Sequence, residues 1–161
     1  MKILFVCLGN ICRSPIAEGV LSTLAIQHHL PWKIASAGTE SFHVGEQPHR
    51  YSQHVCKEKG LDISHQRAAQ FNQDDLQKYD LIYAMSQDVY DILKKTCGSS
   101  FNSSKIRLFL EELYPSQNRS VKDPWYGELD GYYEVYEEIR KGCEAIIAHH
   151  SRTENQKDLL T

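Results

Sequence analysis

Five residues separate Cys7 from Arg13 in Val6-Cys7-Leu8-Gly9-Asn10-Ile11-Cys12-Arg13-Ser14-Pro15, and this spacing directs attention to an anion. The segment follows a short apolar run and precedes a helical pattern, so Cys7 falls at the end of a strand and Arg13 at the start of a helix. Gly9 and Asn10 are residue types that tolerate left-handed backbone angles, which lets the loop curl with its amides inward. Pro15 suits the first turn of a helix, where a missing N–H is not needed. Free amides and the helix dipole at such an N-terminus favour an anion, and a planar guanidinium can grip two phosphate oxygens. The same cup favours a thiolate at Cys7, with Ser14 able to add a hydroxyl hydrogen bond. A thiolate beneath bound phosphate is placed for in-line attack on phosphorus.

Expulsion of the leaving oxygen needs an acid. Asp123, in Val121-Lys122-Asp123-Pro124-Trp125-Tyr126-Gly127, is the candidate, because Pro and Gly bracket a loop that also carries two adjacent aromatics. Once ionised, it can activate water to break a cysteinyl-phosphate. Neither a nucleotide-binding G-x-x-x-x-G-K-[ST] loop nor a dinucleotide fingerprint occurs.

The elements that must hold these residues are legible in outline. Apolar runs predict strands at residues 2–6, 32–37, 81–85 and 106–110, with helices near 14–29, 48–59, 87–96 and 131–148. Val135, Ile139, Cys143 and Ile146 give the last helix one apolar stripe. Alternating strands and helices imply an α/β three-layer sandwich, its parallel sheet flanked by helices on both faces, with the ligand site at the carboxyl ends of the strands.

The chain has 161 residues, enough for one domain over 1–150, and the polar stretch 151–161 reads as a flexible tail. Net charge is −3, which excludes a basic field for nucleic acid or an anionic membrane. Five scattered cysteines, with no Cys-x-x-Cys, suit a reducing compartment, and no stretch is long enough to span a bilayer. A cytoplasmic location is expected, as a monomer or weak dimer.

Three segments together carry a resemblance: C-L-G-N-I-C-R-S-P-I-A-E, Ser36-Ala37-Gly38-Thr39 and Asp123-Pro124-Trp125-Tyr126-Gly127. In order and spacing the chain resembles the low-molecular-weight protein tyrosine phosphatases. The resemblance implies a four-stranded parallel sheet, no metal and no organic cofactor. It carries over Cys7 as nucleophile, Arg13 as phosphate binder and Asp123 as general acid. It also implies a network in which Asn10, Ser14, Ser36 and His65 hold the loop. One departure is Ser86 after Met85, where the family usually has Asp; Asp88 is the candidate substitute.

Leu8, Ile11, Phe42, Trp125 and Tyr126 should wall the cup, with Gly9, Asn10, Cys12 and Ser14 in its loop. Such walls suit the ring of a phosphotyrosine-containing protein substrate. Similar enzymes acting on phosphoarginine tend to carry threonine where this chain has Ile11. A thioredoxin-coupled arsenate reductase on the same fold is a weaker reading, since it needs two further cysteines close together and Cys56, Cys97 and Cys143 are far apart. A non-catalytic phosphotyrosine-binding module is weaker still. Cys12, in the same loop as Cys7, could form a disulfide with it and make the enzyme redox-sensitive.

Overall fold

The computed structural model describes residues 1–158, with side chains described through Thr153. Its centre is a four-stranded sheet formed by β1 (Lys2–Cys7), β2 (Lys33–Gly38), β3 (Leu81–Ala84) and β4 (Ile106–Leu108), all parallel in the order β2-β1-β3-β4. The connecting helices are α1 (Arg13–Gln27), α2 (Arg50–Glu58), a single turn α3 (Asp75–Lys78), α4 (Gln87–Cys97) and the long α5 (Leu129–Asp158). Two 3₁₀ turns, Gly98–Ser100 and Phe109–Glu112, flank β4.

Side-chain alternation along β1 divides the core. Ile3, Phe5 and Cys7 face the layer that contains α1, α2 and α5, whereas Leu4 and Val6 face Leu76 of α3 and Val89, Leu93 and Cys97 of α4. Both faces are therefore covered, which is why the run from Ile3 to Val6 is continuously apolar. The chain leaves β1 for β2 on one side and later enters β3 on the other. The carboxyl end of β1 thus lies at the reversal of strand order, where α/β sheets open a crevice. Cys7 occupies that end, paired in register with Gly38.

The predicted strands and four main helices are present to within a few residues. Two features differ from expectation. The turn α3 has too few residues to show a helical period. At the other end, α5 runs on through Asp158 where a loose tail from 151 was expected; His149 and His150 both bond Glu112, fixing the helix as it passes the 3₁₀ turn. The last part of the expected tail, 159–161, lies outside the described residues. Among the described residues, no helix is long and apolar enough to cross a membrane.

Candidate active site

The phosphate-type loop is the turn from Cys7 to Arg13, and its shape depends on one residue. Asn10 has φ 57°, the left-handed region that asparagine tolerates best among non-glycine residues. Gly9, expected to share that role, does not have positive φ. Its missing side chain instead makes room for His43, whose Cδ2 would lie 3.0 Å from a Cβ there. The Asn10 amide ties the curl together. Nδ2 donates to Ser14 Oγ at 2.7 Å and to Ser36 Oγ at 2.9 Å, and Oδ1 accepts from the Ala69 N–H at 3.0 Å. The chain after β2 supports the loop's opening, with Thr39 N–H donating to the Cys7 carbonyl and Glu40 N–H to that of Leu8.

Ser14 Oγ lies 3.0 Å from Cys7 Sγ. α1 starts at Arg13 with no side-chain cap and no acidic residue in its first turn, so its dipole and first amides favour an anion beside the sulfur. The Arg13 side chain is buried; Nη1 donates to the Val121 carbonyl at 3.1 Å, and Nη2 lies 3.5 Å from Asp123 Oδ2. Asp123 Oδ1 in turn accepts from the Trp125 N–H at 3.0 Å, an Asx turn that shapes the acid loop. Thiol, guanidinium and carboxylate come from residues 7, 13 and 123 and line one cavity of about 190 Å³.

Leu8, Ile11, Phe42, Trp125 and Tyr126 line the same cavity, together with Gly9 and Cys12 of the loop. Phe42 and Tyr126 are mostly exposed at the mouth, with Tyr126 at 93%. Trp125 is also exposed there, though less so, with its ring 5.6 Å from His43 and 5.5 Å from His49. Cys12 points inward, its Sγ 3.4 Å from the Tyr132 hydroxyl, and burial pushes its thiol up to about 12.

His65 is the exception. It is exposed, shares a groove with Glu18 and Arg67, and makes no hydrogen bond to the loop among the described residues. Ile63 takes the interior position against Gly19 of α1, and the turn that follows leaves His65 outside. Glu18 takes the place expected for it, accepting from Ser36 Oγ at 3.4 Å. Burial raises the Glu18 carboxyl to about 7, against the opposing pull of the Ser36 hydrogen bonds. A signal for Glu18 was present, since it follows Ser14 by four residues on one helix face. His43, His49 and Tyr132 had none, because their roles arise from contacts distant in sequence. At the family departure, the buried Ser86 donates its hydroxyl to Asp88 at the start of α4.

Comparison with known proteins agrees with this geometry. Residues 2–157 match the family described as low molecular weight phosphotyrosine protein phosphatase. The chain is 36% identical over 150 residues to the low molecular weight protein-tyrosine-phosphatase YfkJ of Bacillus subtilis, covering 92% of this chain and 94% of that one. Similar solved structures include a protein tyrosine phosphatase from Entamoeba histolytica, with TM-score 0.87 and 33% identity, covering 96% and 99% of the two chains. A Drosophila arginine phosphatase superposes with TM-score 0.86 at 30% identity, covering 93% and 98%. The chain belongs to the low molecular weight phosphotyrosine protein phosphatase family.

Proposed function

We propose that this chain, a phosphoric monoester hydrolase by family, removes phosphate from tyrosine in proteins through a cysteinyl-phosphate formed on Cys7. The observation that carries the reading is convergence: Cys7, Arg13 and Asp123 line one cavity, with Ser14 on the sulfur and Asp123 beside the guanidinium. In the first step the Cys7 thiolate forms a bond to phosphorus as the bond to the aryl oxygen breaks, and Asp123 gives that oxygen its proton. Arg13 and the loop amides hold the equatorial oxygens, where charge gathers in the transition state. In the second step Asp123 takes a proton from water. The water oxygen then bonds to phosphorus, and the sulfur leaves as a thiolate that the Ser14 hydroxyl stabilises.

The walls favour an aryl ester. Phe42, Trp125 and Tyr126 lie at the mouth, and the nearly buried Ile11 offers no hydroxyl to a guanidinium, which weighs against phosphoarginine. A relay of thiols for arsenate reduction finds little support. Cys56 and Cys143 are buried in the α1–α5 layer, Cys97 on the far side of the sheet, and burial pushes the Cys56 thiol up to about 12. Phosphoprotein substrates, a cytoplasmic setting and a monomer or weak dimer complete the reading. Oxidation belongs to it as well: a peroxide would oxidise the Cys7 thiolate to a sulfenic acid, which would condense with the Cys12 thiol, releasing water and leaving a disulfide that a thiol reductant reverses.

The test is a set of initial rates on phosphotyrosine, phosphoserine and phosphoarginine peptides. Phosphotyrosine should lead, and Cys7→Ser should abolish turnover while still binding phosphate analogues. Asp123→Ala should lower kcat/KM on phosphotyrosine by about 10²-fold or more, and less on aryl phosphates with good leaving groups. Equal rates for Asp123→Ala and wild type on the phosphotyrosine peptide would refute the acid role.

A further inference from the structure

His49 lies outside the reaction and joins the phosphate loop to Trp125 of the acid loop and to α5. Its backbone N–H donates to the Ile11 carbonyl of the phosphate loop at 2.7 Å, and three residues on, Ser52 Oγ donates to the Cys12 carbonyl at 3.0 Å. Its ring stacks on Tyr132 of α5, with centroids 5.1 Å apart and planes at 20°, and meets Trp125 edge-on at 5.5 Å. Tyr132 reaches back to Cys12, and the Trp125 N–H holds Asp123. The ring is itself fixed, because Nδ1 accepts from the Tyr51 N–H at 3.1 Å and so caps α2.

We infer that His49 is a positioning residue for the acid loop: its ring is the platform that sets Trp125, and through it Asp123, relative to the phosphate loop. The inference rests on the proposed function, because it assigns His49 an effect on the proton given to the leaving oxygen. The Asx turn fixes Asp123 to Trp125 but says nothing of where the pair sits against Arg13. That placement needs a partner anchored to the phosphate loop, and His49 is anchored there through its own N–H. His43 flanks the other side of Trp125, but its Nδ1 is held by the surface residue Glu46. Burial, aided by Arg50 and His43, lowers the pKa of His49, which keeps Nδ1 available as an acceptor.

Cap and platform can be separated by substitution. His49→Asn keeps an acceptor at the helix start and removes the ring; His49→Phe keeps a ring and removes the acceptor. Each is assayed for kcat/KM on a phosphotyrosine peptide and on p-nitrophenyl phosphate, whose leaving group departs without needing a proton. This constant ends at release of the leaving group and so excludes the hydrolysis step common to all substrates. His49→Asn should lose about tenfold in kcat/KM on the peptide and less than about threefold on p-nitrophenyl phosphate. His49→Phe should restore the wild-type ratio of the two rates despite a lower Tm. If His49→Asn does not fold, His49→Leu, which fills the volume without stacking or capping, should show the same shifted ratio. A wild-type ratio in the variants without an aromatic ring would overturn the inference, as would a shifted ratio in His49→Phe. A wild type that releases no phosphate from the peptide would overturn the proposed function and this role with it.

Discussion

Asn10 shows how much of the site depends on one side chain. It adopts φ 57°, bonds two hydroxyls through Nδ2, and accepts one amide through Oδ1. Alanine and glycine replacements separate these roles. Both lose the three hydrogen bonds, so both should lower kcat by at least about tenfold, since the loop no longer holds its amides toward the phosphate. They should differ in stability. A left-handed φ costs an alanine about 1–2 kcal/mol, whereas glycine's greater unfolded-state freedom costs about 0.5–1 kcal/mol. The first effect is larger, so Asn10→Gly should be more stable than Asn10→Ala by up to about 1 kcal/mol in urea unfolding. The reverse order would mean that the turn relaxes out of the left-handed region.

At the scale of elements, helix propensity and packing disagree at Gly142. It lies within α5, where replacing glycine with alanine ordinarily gains about 1 kcal/mol. Here a Cβ would fall 2.3 Å from Cζ of Phe109, a ring with no exposure and no room to withdraw. Overpacking of that kind costs about 1–3 kcal/mol, so packing wins, and Gly142→Ala should unfold at lower temperature than wild type by calorimetry. The same contrast explains what was legible in the sequence. β1 and β3 announced themselves because they are buried on both faces, and α5 because Val135, Ile139, Cys143 and Ile146 form one stripe. The Cys7-to-Arg13 loop and Asp123 were readable because their chemistry is carried by residue type and local spacing. The supports of that loop were read less well. His65 was expected in a network that Glu18 completes instead, and the aromatic group of His43, His49 and Tyr132 joins positions up to 89 residues apart, which no local period records.

For the molecule as a whole, two glutamates give stability opposite dependences on pH. Burial raises Glu18 to about 7, so the folded protein holds a proton there that the unfolded chain releases above about 4.5. Stability from this group is present below about pH 4.5 and falls as pH rises to about 7, by roughly 3 kcal/mol in all. Glu112 is the converse. Burial acts to raise its pKa, but hydrogen bonds from His150, Tyr83 and His149 outweigh it and bring the carboxyl to about 2. Its contribution is complete above about pH 4.5 and is lost as acid takes the carboxyl from about 4.5 towards 2. Glu18→Gln should therefore match wild type near pH 4.5 and exceed it at pH 8, read from urea midpoints across pH. Glu112→Gln should lose about 1–3 kcal/mol at neutral pH, from the partners it leaves poorly satisfied, and should unfold in acid with a shallower pH slope. Parallel curves for wild type and either variant would count against that residue's assignment.

The central place of β1 also bears on the order in which the chain becomes competent. Its residues precede all of their partners in the chain: β3, the neighbour on one side, lies some 80 positions later, and Arg13 finds the Val121 carbonyl 108 residues downstream. Contacts of such separation form slowly, because loop-closure entropy is lost before they stabilise anything. The segment from Cys7 to Arg13, with its nucleophilic sulfur, therefore remains chemically unassembled until the chain has been made through Val121. Recovered turnover after dilution from denaturant should accordingly trail helix formation seen by far-ultraviolet circular dichroism.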